Sequence, residues 1–313
     1  MIAASPSGST HPELLVCAQN ECYTQPLPCH AVAGPDTVIT IGGSTFLQVG
    51  GPTVPDLDAF VGKQQSDVER QIQRFLDRHP TVSSHTTGLI IIDIEDPHPK
   101  DFHEYPVRVQ DQIIDAFISR AVAARAMFPK ARLGFYGTLV PDARGRADDK
   151  TYLARKRSLV RAGCQGMFDS VDCLIPVTYP RFGPIDRSWQ TYEAYTRLAI
   201  TGSRSLRTSD GGTLPVTPIV TYSVANGNSK HHEDLLLDLE TSRPLHETLG
   251  VQFTVMLEEH VSTAVFWVGE NSDLITRLPN PNARTVSQHV CGLSPTSHPA
   301  AHGRAVAAGR RDR

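Results

Sequence analysis

The sequence is poor in cysteine and in tryptophan, and neither sign of charge is in excess. Six cysteines, Cys17, Cys22, Cys29, Cys164, Cys173 and Cys291, are spread over 313 residues. That density is far below what a disulfide-built small fold requires. None forms a Cys-x-x-Cys pair, which argues against a structural zinc site. Three of them lie in a short N-terminal stretch, where disulfides and buried free thiols both stay open. No apolar run approaches the roughly 20 residues needed to span a membrane. Basic and acidic residues number 30 and 33, for a net charge of −3. The basic excess of a dedicated nucleic-acid binder is therefore missing. No Gly-x-Gly-x-x-Gly follows the first strand and no Walker-type loop occurs, which weakens a nucleotide-binding reading. The first residues also lack the basic and apolar regions of a secretory leader.

Apolar residues make up 40% of the chain, enough to build a core. Residues 1–35 are weakly patterned and read as an irregular N-terminal segment. Residues 293–313 are rich in Pro, Ala, Gly, Arg and His without an apolar period, and read as a disordered tail. Between them, residues 36–292 alternate in character. Short β-branched runs at Thr37–Ile41, Gly88–Asp93, Leu133–Tyr136, Val171–Thr178, Val216–Tyr222 and Ala264–Val268 suit strands covered on both faces. Amphipathic stretches at Leu57–His79, Val107–Phe128, Tyr152–Leu159, Trp189–Ile200 and Asp234–Leu257 predict helices. Asp56 is placed to cap the first of these, and Pro80 and Pro129 to stop two of them.

This alternation predicts an α/β fold with a parallel sheet, either open and doubly wound or closed into a (β/α) barrel. The strand ends favour the barrel. Glu95, Tyr136, Tyr179, Tyr222 and Trp267 recur 41 to 45 residues apart. A regular unit with polar or aromatic side chains at each strand's C-terminal end suits a barrel with its site on that face. At about 43 residues per unit, the chain holds fewer than seven complete units, so a TIM-type barrel with an irregular first quarter is expected.

The most informative segment is Gly88–Pro97, with Asp93 and Glu95 at its end. Residues two apart on a strand share a face. If the Ile90 row packs against helices, Asp93 and Glu95 point into the barrel. Two nearby carboxylates raise each other's proton affinity, and one that stays protonated near neutral pH can act as a general acid. The plainer alternative is a solvated or capping pair at a strand end.

Here the chain resembles the hyaluronidase-type glycosidases, and more distantly the chitinases. Gly88–Pro99, GLIIIDIEDPHP, is similar to the fourth-strand Gly-Leu-x-x-Ile-Asp-Trp-Glu of the former. Leu133–Gly137 with Pro141-Asp142, Ile175–Tyr179, Leu214–Tyr222 and Ala264–Gly269 resemble the fifth to eighth strands in order. Thr40–Ser44 is similar to the third-strand Ser-x-Gly-Gly of chitinases. The resemblance covers roughly Val38 to Arg277. It implies a retaining glycosidase in which the substrate's own N-acetyl group is the nucleophile. On that reading Glu95 is the general acid/base. Asp93 orients the acetamido group and stabilises the oxazolinium-like intermediate. Tyr179 donates to the acetamido oxygen, and Trp267 floors the sugar. Tyr136 and Tyr222 are rim residues, packing there or lining the substrate.

The expected partner is an oligo- or polysaccharide, with no cofactor, no metal, no nucleic acid and no membrane span, and a monomer is expected. The family resemblance implies secretion, whereas no signal peptide is visible, so the compartment stays open; a disulfide bond is expected only if that compartment is oxidising. The chain departs from the pattern in places. Ile94 replaces the motif tryptophan, and Pro97-His98-Pro99 replaces Trp-Arg-Pro, removing an arginine suited to a uronate carboxylate. Asp142-Ala143-Arg144 stands where the family has Cys-Tyr-Asn, and Ile91 replaces the first chitinase aspartate. Two other readings stay open: a barrel that binds glycans without cleaving them, and a metal-dependent hydrolase using Asp93, Glu95 and Asp96. His98 and His103 lack helical ligand spacing and read as a solvated loop.

Overall fold

The computed structural model describes residues 13–18, 21–22, 31–32, 38–42, 45–46, 50–51, 54–80, 82–141, 146–178, 189–220, 251–252 and 254–267. In chain order these form β1 (Glu13–Ala18), β2 (Glu21–Cys22), β3 (Ala31–Val32), β4 (Val38–Gly42), β5 (Gly50–Gly51) and β6 (Val54–Pro55). Next come α1 (Leu57–Val61), α2 (Gln65–Arg78), β7 (Leu89–Asp93), a 3-10 turn over Pro99–Glu104, α3 (Val107–Met127) and β8 (Arg132–Tyr136). The chain continues with α4 (Lys150–Leu159), α5 (Ala162–Asp169), β9 (Cys173–Ile175), α6 (Trp189–Ser203), β10 (Ile219–Val220) and β11 (Thr263–Trp267). Residues 251–252 and 254–258 are helical.

Strands β4, β7, β8 and β9 form one parallel run, and β10, β11 and β1 another, with β3 parallel to β1. Parallel bridges Leu174–Val216 and Val177–Ile219 join β9 to β10. In space the order is β4-β7-β8-β9-β10-β11-β1. The two ends of this order, β4 and β1, come within 8 Å of each other between Cα atoms. The sheet therefore curls, and among the described residues no ladder joins β4 to β1.

Period-two alternation sorts the strand side chains onto two faces. Ile39, Ile41, Ile90, Ile92, Ile94, Leu133 and Phe135 pack with Val68, Ile72, Ile113 and Phe117 of the helices. Leu15, Val38, Leu89, Ile91, Tyr136, Cys173, Ile175, Val177, Ile219 and Val265 form a second, inner cluster. The Ile90 row thus faces the helices, which is the condition for Asp93 to point to the other face. Each fully buried isoleucine of β7 contributes roughly 1.5–3 kcal/mol by leaving water. Phe117 of α3 meets Phe60, Phe102 and Phe135 at ring-centroid separations of 5.9, 5.5 and 5.2 Å, which ties α1, the 3-10 turn and β8 to one helix.

The helix termini follow local chemistry. Asp56 accepts from the Ala59 amide at 3.0 Å, as expected of a cap. α2 and α3 end at Arg78 and Met127, just before the stopping prolines. Three expectations are corrected. The helix predicted over Leu57–His79 is two helices. The Gly62 amide closes α1 on the Asp58 carbonyl at 2.9 Å, and Asp67 then accepts from the extended Gln64 at 3.1 Å to start α2. Helix α5 was not foreseen between Leu159 and Val171. The weakly patterned start contains β1, which lies within the sheet beside β11. Cys164 and Cys173 are buried free thiols, pushed up to about 11 and about 12 mainly by burial. The other four cysteines are not among the residues whose side chains are described. The tail at 293–313 and the start of the helix predicted from Asp234 also lie outside the described residues.

Candidate functional site

Asp93 is the last residue of β7 and continues the inner row Leu89–Ile91. It pairs with Gly42 of β4. On its other side the β7–β8 register places it beside Tyr136, since Ile92 pairs with Phe135. Ile94, just past the strand, is buried in the cluster that packs on the helices, and Glu95 lies near enough to Asp93 for its charge to act on that carboxyl.

The electrostatics single out Asp93. Its carboxyl is largely enclosed, and its Oδ1 is buried with no hydrogen-bond partner among the described residues. Burial, and then the charge of Glu95, raise its pKa from 3.8 to about 7. Loss of hydration disfavours the charged form, and a neighbouring like charge adds to it. Near neutral pH the Asp93 carboxyl is therefore divided between its two protonation states. Glu95 itself is exposed. A buried acceptor without a donor is rare in a folded protein and is costly unless something else fills the role.

Beyond Asp93 the chain passes through a cis Asp96–Pro97 bond to His98. The solvated-loop reading of this histidine is corrected, because His98 is 3% exposed. Its Nδ1 accepts from the Lys100 amide at 3.0 Å and caps the 3-10 turn. The ring stands edge-on to Tyr136, with centroids 6.2 Å apart and planes at 70°. Its other edge lies against Gly137, where a Cβ would fall 2.7 Å from Nε2. Gly137 has φ 63°, a left-handed conformation that glycine adopts without strain. The flanking prolines signal a rigid turn in the sequence, but nothing local in it signals that the ring turns inward.

Tyr136 is 6% exposed and belongs to the inner cluster. Trp267 ends β11, and its backbone pairs with Cys17 of β1. Tyr179 and Tyr222 lie outside the described residues. The strand end that leads to Tyr179 is held by side-chain hydrogen bonds. Tyr192 of α6 donates to the Thr178 carbonyl at 2.9 Å, and the Thr178 hydroxyl donates to the Ile219 carbonyl at 2.7 Å. Among the described residues no group of three His, Cys, Asp or Glu side chains is arranged to hold a metal ion, and no helix is long and apolar enough to cross a membrane.

No family model and no curated protein matches the chain. Solved structures similar to it include two of bee venom hyaluronidase. The monoclinic crystal structure aligns with a TM-score of 0.52 and 12% identity, over 82% of this chain and 85% of that one. The complex with a hyaluronic acid tetramer aligns with a TM-score of 0.48 and 12% identity, over 74% and 78%. At this identity the likeness is one of fold.

Proposed function

We propose that the chain is a glycoside hydrolase that cleaves N-acetylhexosamine-containing glycans with retention of configuration, built on a (β/α) barrel of the hyaluronidase type. One observation carries the reading: among the described residues the Asp93 Oδ1 is a buried acceptor without a donor, on the inner face at a strand's C-terminal end. An acetamido N–H supplies the missing donor. The fold likeness to hyaluronidase and the carboxylate pair at the end of β7 support the same assignment.

The chemistry follows from the side chains. The acetamido carbonyl oxygen attacks the anomeric carbon while Glu95 gives a proton to the departing glycosidic oxygen. The positive oxazolinium so formed is stabilised by Asp93, which accepts its N–H as a carboxylate. Glu95 then takes a proton from the incoming water, whose oxygen opens the oxazolinium on the original face. In the free protein burial keeps Asp93 partly protonated near neutral pH. Donation from the substrate amide favours the ionised form of Asp93, so substrate binding frees that proton. Tyr179 donates to the attacking oxygen, and Trp267, Tyr136 and Tyr222 form the apolar wall of the sugar subsite.

The test is turnover of N-acetylhexosamine oligosaccharides by Glu95→Gln and Asp93→Asn, with the product anomer followed by NMR. Glu95→Gln is expected to cut kcat by at least about 100-fold and to leave the fold intact. Undiminished hydrolysis by that variant overturns the assignment. An initial product of inverted configuration overturns the substrate-assisted mechanism.

A further inference from the structure

The segment between β7 and α3 is fixed at three points, and Glu95 lies between the first two. Asp93 is held in the β4–β7 ladder. Phe102 anchors the 3-10 turn on Phe117 of α3. Between them, His98 wedges its ring against the end of β8. That ring is held on opposite edges, with Nδ1 on the Lys100 amide and Nε2 against the bare Cα of Gly137. Gly137 is in turn tied to β9, its amide donating to the Ile175 carbonyl at 2.9 Å. The chain from Asp93 to His98 is thus a short span between two supports, with Ile94 buried beneath it.

We propose that His98, seated against Gly137, is a positioning residue that sets the distance between the Glu95 and Asp93 carboxylates. It acts on the site through the backbone it holds and does not itself meet the substrate. The inference rests on the catalytic reading above for its consequence, but its geometry is testable without any turnover.

The readout is the Asp93 titration, because Glu95 is the charged group that acts on it alongside burial. A loop that releases Glu95 lets Asp93 ionise more readily. Asp93 is followed by carboxyl carbon-13 NMR on the full chain and assigned with Asp93→Asn. Glu95→Gln gives the value without the neighbouring charge and is expected to fall by about 0.5–1 pH unit. His98→Phe keeps ring volume but offers the Lys100 amide no acceptor. Gly137→Ala pushes the ring from the other side. Both are expected to shift Asp93 towards the Glu95→Gln value, and to lower kcat about 10–100-fold with KM nearly unchanged. His98→Asn, which retains an acceptor for the Lys100 amide, is expected to recover part of both effects. Phe75→Leu, which loosens the core on α2, is expected to leave the Asp93 titration in place.

The proposal is overturned if Asp93 titrates in His98→Phe and Gly137→Ala as in the unaltered protein, or if Glu95→Gln leaves Asp93 unmoved. Should the titration shift as expected while the unaltered protein cleaves no N-acetylhexosamine glycan, the positioning role stands and the hydrolase assignment fails.

Discussion

Asp93 and Gly42 face each other across the β4–β7 ladder, and among the described residues the space that a Cβ on Gly42 would enter holds nothing within 4 Å. Among the described residues, a carboxyl whose buried Oδ1 has no partner therefore borders open space beside a residue that lacks a side chain. If a sugar's acetamido group occupies that opening, its size sets the limit on substitution. Gly42→Ala is expected to fold normally and to gain about 0.4–1 kcal/mol through a less flexible unfolded chain. Gly42→Leu is expected to keep its thermal midpoint and to raise KM for an N-acetylhexosamine oligosaccharide at least about tenfold, as steric exclusion would. Steady-state kinetics on both variants check this. An unaltered KM in the leucine variant removes the opening from the substrate's path.

The raised proton affinity of Asp93 has a consequence for stability. Its pKa is about 7 in the folded chain against 3.8 for an unperturbed carboxyl. Between those values the folded state holds more protons than the unfolded state, so stability falls as pH rises through the window. Asp93→Asn removes this dependence. At pH 4 the variant and the parent are expected to unfold at urea midpoints equivalent to within about 0.5 kcal/mol. At pH 8 the variant is expected to be more stable by about 2–3 kcal/mol. That is below the full value of the shift, because partial solvent contact screens the charge. Parallel urea titrations at the two pH values decide it.

Arg120 of α3 is fully buried and has no carboxylate against it in the described structure. Its guanidinium donates to the Phe46, Ala116 and Phe60 carbonyls at 2.8, 2.9 and 2.7 Å and lies 3.7 Å over the Phe60 ring. It joins the turn after β4 to the end of α1. Burial lowers its pKa only to about 10, so it stays charged at neutral pH. Arg120→Met removes the guanidinium bonds to these buried carbonyls, those of Phe46 and Phe60 reaching outside α3, and is expected to cost about 3 kcal/mol or more. Arg70→Met, which breaks an ion pair with Asp67 on an exposed helix face, is expected to cost less than about 0.5 kcal/mol. Urea denaturation of the two variants makes the comparison.

How much of this was legible in the sequence differs from element to element. The run Leu89–Asp93 announces itself, because an unbroken β-branched stretch ending in a carboxylate has few other physical solutions. The strand-end spacing likewise points to repeated βα units, and Asp56, Pro80 and Pro129 mark helix ends by backbone chemistry alone. β1 was not legible. Its Glu13–Ala18 stretch is short, and its partner β11 lies some 250 residues further along the chain, beyond any local pattern. The break at Gly62 was hidden because apolar spacing continues across it. His98 was misread for a different reason. Between two prolines in a polar loop it looks solvated, and only the space left by Gly137 reveals where the ring goes.

The strand end that precedes Tyr179 offers a last separation of structure from catalysis. The Tyr192 hydroxyl donates to the Thr178 carbonyl at 2.9 Å, and the Thr178 hydroxyl donates to the Ile219 carbonyl at 2.7 Å. Both side chains are buried, so these bonds hold the ends of β9 and β10 at the residue before Tyr179. Tyr192→Phe keeps the ring and removes the hydroxyl that donates to Thr178. Loss of this buried hydrogen bond is expected to cost about 1 kcal/mol in stability. If Tyr179 aligns the attacking acetamido oxygen, the same change also loosens a catalytic donor, and kcat is expected to fall about tenfold or more at a temperature where the variant is fully folded. Tyr179→Phe provides the reference for loss of the donor itself. A Tyr192→Phe protein with lowered stability but unaltered kcat shows that this network holds the fold without tuning the reaction.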